Sequence, residues 1–65
     1  MRKSISQMKG LAAAYPERIE GWYHDEDGWW IDLKDGWMYD GEVHFVHEDT
    51  QEECISAFSR VEKSS

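Results

Sequence analysis

A unit of an acidic residue, a glycine and a tryptophan recurs along the middle of this chain. It reads Glu20-Gly21-Trp22-Tyr23, Asp27-Gly28-Trp29-Trp30 and Asp35-Gly36-Trp37-Met38, at spacings of 7 and 8. Asp40-Gly41 adds a further acid-glycine break. Asp-Gly is a strong turn signal, because both residues tolerate the positive φ that tight hairpin turns require. Breaks this frequent leave no room for a long helix and prescribe short elements joined by tight turns. Between them, Trp29, Ile31 and Leu33 alternate with Trp30, Asp32 and Lys34, and Val43, Phe45 and His47 alternate with His44, Val46 and Glu48. Period two is the rhythm of a strand with two unlike faces. The spacing predicts an antiparallel meander of three strands near 20–24, 28–34 and 37–47, with a turn or bulge at Asp40-Gly41.

Helical periodicity appears on either side. Ile5, Met8, Leu11, Ala12 and Tyr15 mark one helical face, Ser4 and Gln7 have capping-box spacing, and Pro16 closes the segment. Gly10 weakens that helix by about 1 kcal/mol relative to alanine, so it must dock to persist. Thr50 with Glu53 forms a second capping box, and Asp49 with Glu52 offers an alternative register. Glu52 and Glu53 suit the positive end of a helix dipole, and Arg60 and Lys63 the negative end. Cys54, Ile55, Phe58 and Val61 share a face, which predicts a helix from about 50 to 62. The expected fold is therefore α+β in the order α-β-β-β-α. It forms one domain over residues 1–65, with 1–3 and 63–65 frayed.

A chain of 65 residues buries only about 60% of its unfolded surface. The lone Cys54 excludes an intramolecular disulfide, and no Cys/His spacing suggests structural zinc. An aromatic core or an oligomer contact must supply the stability that such staples give other small domains. An unpaired cysteine fits a reducing compartment. No apolar run reaches the length of a membrane span, and polar residues interrupt Ile5, Met8 and Leu11 where a secretory signal would be continuous. The expectation is a soluble, cytoplasmic protein.

Charge is distributed unevenly. Glu20–Glu53 holds twelve carboxylates against the single cation Lys34, while the chain as a whole carries −7. Acid at this density ordinarily prevents folding, yet all four tryptophans lie in the same stretch. The reading is a scaffold folded by aromatics that displays negative charge. Such a surface disfavours direct binding to nucleic acid or anionic lipid and favours a basic protein partner. The candidate partner-binding residues are Asp25, Glu26, Asp27, Trp30, Asp32, Asp35, Tyr39, Asp40, Glu42, Glu48, Asp49, Glu52 and Glu53. Alternate strand residues lie about 6.6–6.8 Å apart, so rows such as Asp25/Asp27 and Asp40/Glu42 can approximate successive phosphates. The competing reading is that these acids only keep an aromatic domain in solution.

Catalytic readings are weaker. His24, His44 and His47 invite a metal site, but His44 and His47 would face opposite sides of a strand. Cys54 reads as a core residue rather than a nucleophile, since its neighbours on the helix are apolar and Glu52 and Glu53 would raise its pKa. Paired carboxylates occur here by number alone, and a chain this short scarcely forms a substrate cleft. No enzyme activity, cofactor or metal is expected. Trp29 and Trp37 read as core. Trp30 shares a face with Asp32 and Lys34 and reads as an exposed interface anchor, with a sugar-stacking platform as the other option.

The run Trp30-Ile31-Asp32-Leu33-Lys34-Asp35-Gly36-Trp37, then Glu42-Val43-His44 and His47-Glu48-Asp49-Thr50, resembles a pattern in small acidic phage and prophage accessory proteins of unknown function. The resemblance spans residues 29–61 and implies a strand pair ending in a capped helix. By analogy it also implies the context of anti-CRISPR and anti-restriction inhibitors, some of which mimic nucleic acid. The expected function is a non-enzymatic inhibitor or adaptor. It would occupy the basic, nucleic-acid-binding groove of a host protein, such as a CRISPR effector or restriction component, and exclude the nucleic acid. The alternative is an assembly module that homodimerises through an aromatic patch.

Overall fold

The computed structural model describes residues 4–41 and 43–64, with side chains from Gln7 onward. The elements are α1 (Ser4–Ala14), β1 (Ile19–Asp25), β2 (Gly28–Leu33), β3 (Trp37–Met38), β4 (Phe45–Glu48), α2 (Gln51–Phe58) and β5 (Glu62–Lys63). The fold is a small α+β arrangement of two helices and antiparallel sheets. Among the described residues, no helix is long and apolar enough to cross a membrane.

The main sheet runs β1-β2-β4, with β2 in the centre. Register places Trp22, Ile31 and Val46 in one cross-strand row and Tyr23, Trp30 and His47 in the next. Successive residues face opposite sides of a sheet, so these rows belong to different faces. Ile31 and Val46 are both 0% exposed, which makes theirs the core face. Helix α2 packs on β4 and β2, and α1 packs on β1 and α2. Met8, Ile19, Leu33, Cys54, Ala57, Phe58 and Val61 complete the core. Both helices thus cover one side of the sheet.

Four features depart from the sequence expectation. The expected third strand, 37–47, is divided: Trp37 and Met38 pair with Lys63 and Glu62 in a separate two-stranded sheet, and only Phe45–Glu48 joins the main one. Asp40 (φ 56°) and Gly41 (φ 91°) both turn left-handed, which breaks the strand as the Asp-Gly signal implied. Lys63 and Ser64, expected to fray, are instead held, with Ser64 N–H donating to the Gly36 carbonyl at 2.8 Å. Residues 1–3 and Ser65 lie outside the described set.

Helix α2 is shorter than its apolar face suggested. The Ser59, Arg60 and Val61 amides bond to carbonyls three residues back, and the Ser59 hydroxyl also donates to Ser56 O at 2.7 Å. That tightening ends the α-helical ladder at Phe58 while leaving Val61 in the core. At the other end the Thr50 cap forms as expected, with Glu53 N–H donating to Thr50 Oγ1 at 3.2 Å. The Thr50 hydroxyl donates to Glu53 Oε1 at 3.0 Å, so the Asp49/Glu52 register is not used. The Ser4–Gln7 cap and the Ile5 side chain lie outside the described residues.

The fourth departure concerns the tryptophans. Trp22, Trp29 and Trp37 are half-buried against the core, whereas the largest fully covered side chains are Met8, Ile31, Val46 and Cys54. A sheet with one helical layer encloses small aliphatics fully and large rings only at its margin. Trp37 is further covered by the Arg18 guanidinium, 4.2 Å from its ring centroid and 5.2 Å from that of Tyr15.

Candidate functional site

No described helix packs on the second face of the main sheet, and that face is aromatic. Tyr23 stacks on Trp30 with centroids 5.6 Å apart and planes 8° from parallel. His47 stacks on Trp30 from the neighbouring strand at 4.0 Å, and Phe45 tilts against it at 5.6 Å. Tyr23 is 44% exposed and Phe45 40%, so the outer members of this ladder meet solvent while Trp30 is half-buried between them.

The ladder is held at the β1–β2 turn. Asp25 pairs with Gly28, so the loop is Glu26-Asp27, one residue earlier than the Asp-Gly signal placed it. Positive φ falls at Gly28 (135°), where a β-carbon would collide with the Glu48 carbonyl oxygen and lie 3.1 Å from His47 Nε2. Asp25 Oδ1 accepts from Trp30 Nε1–H at 3.1 Å and from the Asp27 amide at 2.9 Å. His47 Nε2 donates to the Asp27 carbonyl at 2.9 Å. The turn thereby grips both Trp30 and His47. The indole hydrogen bond holds the Asp25 carboxyl below its ordinary pKa.

Of the sequence-derived set, Asp25, Glu26, Asp27, Trp30 and Asp32 meet on this face and its turn, and each acid is exposed. Asp35 and Asp40 are exposed in the turns flanking β3. Glu48 points to the core side, half-buried, and accepts from the Tyr39 hydroxyl at 3.5 Å. Tyr39 also receives the Arg60 guanidinium at 3.4 Å, so it belongs to a polar bridge between β3's end and the segment after α2. Asp49, Glu52 and Glu53 are exposed at the start of α2, on the helical layer rather than beside Trp30. Glu42 lies outside the described residues.

The described acids of the candidate set form no ion pair with a described cation. Among the described residues the sole ion pair is Arg18 with Glu17, at 3.5 Å, and it involves none of the candidate acids. The histidines are separately engaged: His24 stacks on Trp29 at 4.0 Å, His44 Nδ1 lies 3.1 Å from Trp37 O, and His47 is in the ladder. No group of three or more metal-ligating side chains converges among the described residues. Cys54 is fully buried, and desolvation, with a smaller effect of Glu48, pushes its thiol up to about 11.

Sequence reasoning missed Tyr23, Phe45 and His47 as members of the face. Alternation in β4 already set Phe45 and His47 against Val46, whereas Tyr23 falls opposite Trp30 only because the loop is Glu26-Asp27, one residue earlier than the Asp-Gly signal placed it. Comparison with known protein families, curated proteins and solved structures finds no match to this chain.

Proposed function

We propose that this protein is a non-enzymatic binding module that uses its acidic, aromatic-centred sheet face to engage a basic protein surface. The surface in question is a nucleic-acid-binding groove, from which the module excludes nucleic acid. The observation that carries the reading is the pairing of an uncovered aromatic ladder with carboxylates that no lysine or arginine of the described chain neutralises. Aromatic anchors supply residence time, and unpaired charge of one sign steers association. A phage-encoded inhibitor acting in the host cytoplasm, with a CRISPR effector or restriction component as target, is the form suggested by the motif resemblance.

The test is affinity capture from a nuclease-treated bacterial lysate, with the wild-type protein and a Glu26→Lys/Asp27→Lys variant as baits, since neither of those exposed side chains holds the turn or Trp30. Wild type should retain nucleic-acid-binding proteins that duplex DNA displaces, and the variant should not. Equal capture by both baits, or capture that DNA leaves unchanged, would overturn the reading.

A second reading is favoured by the exposure of Tyr23 and Phe45 on one bare face. Two copies could bury these rings against each other, with the acids serving solubility. Sedimentation equilibrium separates the two readings: a dimer abolished by Trp30→Ala supports self-association, and a monomer supports the inhibitor.

A further inference from the structure

Resting on the reading of a basic partner, the geometry points to the chemistry of the contact: Tyr23 is the seat for an arginine of that partner. The guanidinium stacks on the ring's free face and pairs with the Asp32 carboxylate, with Asp25 adding negative charge on the other side of the ring. Tyr23 uses one ring face against Trp30, and no aromatic of the described chain covers the other. Asp25 follows it by two residues on the same side of β1, and Asp32 lies on the neighbouring strand opposite Gly21. Asp25 Oδ1 is occupied by Trp30 and Asp27, which leaves Oδ2 to accept from a ligand. Asp32 is exposed and has no side-chain hydrogen bond among the described residues. Register sets Asp32 and Asp25 on either side of Tyr23 on one face, and desolvation, then Asp32, then Asp25, raise its phenol above the ordinary pKa.

Gly21 completes the seat by what it lacks. It sits two residues before Tyr23 on the same face, opposite Asp32, and a β-carbon built there meets nothing within 4 Å. That gap lets a long side chain lie flat beside the tyrosine and reach the Asp32 carboxylate. The arginines of the described chain do not fill it: Arg18 is held by Tyr15, Trp37 and Glu17, and Arg60 by Tyr39. Arginine suits the site better than lysine. Its planar head stacks on a ring while its fork reaches carboxylates, whereas an ammonium is a hydrated point charge.

The experiment is titration calorimetry at low salt with an alternating Arg-Gly peptide and a Lys-Gly peptide of equal length and charge. Wild type should bind the arginine peptide about two- to fivefold more tightly, the size of an exposed cation–π contact. Tyr23→Phe should keep that preference and Tyr23→Leu should lose it. Gly21→Val, which enters open space at a strand position, should also lose it while its thermal midpoint stays at or above wild type. Equal affinities in wild type, or a preference that survives in Tyr23→Leu, would overturn the arginine seat. If those equal affinities both fell in Glu26→Lys/Asp27→Lys, the acidic-display reading would stand without it. Failure of wild type to bind either peptide would overturn both.

Discussion

Asp25 Oδ1 lies 3.1 Å from Trp30 Nε1, joining the last residue of β1 to the central ring of the open sheet face. The same oxygen accepts the Asp27 amide, so a single carboxylate sets both the turn and the rotamer of the indole. A tryptophan fixed in this way offers a preorganised surface, which lowers the entropy lost on binding.

Titrating Asp25 should therefore loosen Trp30. Its carboxyl sits below the ordinary 3.8, first because of the indole hydrogen bond. The folded state favours the ionised form, so this contribution is complete above pH 3.8 and is lost as pH falls through the lower folded value. Asp25→Asn retains an acceptor oxygen but cannot ionise. The stability difference between wild type and Asp25→Asn, from denaturant melts across pH 2–7, should shrink at the acidic end. A constant difference would remove Asp25 from the account.

Gly28 should be irreplaceable. Alanine there must hold φ near 135° and collides with the Glu48 carbonyl, so the β1–β2 turn and β4 cannot both keep their places. Strain of this kind costs about 1–3 kcal/mol. Gly28→Ala should lower the urea midpoint accordingly, whereas Gly21→Ala, in open space, should not.

Ile31 lies fully buried in the central strand, between Trp22 and Val46. Ile31→Ala should cost about 2–5 kcal/mol, a large part of the stability available to a domain this small. Loss of the cooperative thermal transition, or a matching drop in its midpoint, is the expected outcome. An unchanged midpoint would contradict the assigned core face.

How much of this was legible follows from what sets each element. The α2 cap at Thr50 and Glu53, the face of Cys54, Phe58 and Val61, and the β1–β2 hairpin depend on neighbours in sequence, and all were readable there. The β3–β5 pairing was not, because it joins Trp37 to Lys63 across a span that local periodicity does not encode. The end of α2 was hidden for a similar reason. Its apolar rhythm continues to Val61, but the Ser59 hydroxyl and short-range amides take over the last carbonyls. Alternation set Trp30 on the same face as Asp32, yet its companions Tyr23 and His47 emerge only from cross-strand register. Tyr39 illustrates the opposite case: its type suggested an anchor, while its position ties it to Glu48 and Arg60.

Cys54 should behave as a buried apolar group. Its thiol is pushed from 9.0 to about 11, so the folded state favours the neutral form. That contribution is complete below pH 9 and is lost as pH rises toward 11. The native thiol should resist alkylation at pH 8 and react once denaturant is added. Cys54→Ala should flatten the alkaline decline in stability relative to wild type, and rapid labelling of the native protein would overturn the assignment.

Salt should stabilise this protein. Among the described residues none of the candidate acids forms an ion pair, so no salt bridge of the described residues offsets their mutual repulsion. The molecule measures 39 × 23 × 16 Å. At 0.01 M ionic strength the screening length is about 30 Å, so acids across most of that span repel one another; at 0.15 M it is about 8 Å, and only near neighbours do. The thermal midpoint should therefore rise between those two conditions. Asp32→Lys, at an exposed position without a hydrogen bond, should raise the low-salt midpoint and reduce the dependence. A flat or falling wild-type curve would mean that the carboxylates are neutralised within the chain. Negative charge would then not be available to a partner, and the proposed binding surface would reduce to its aromatic ladder.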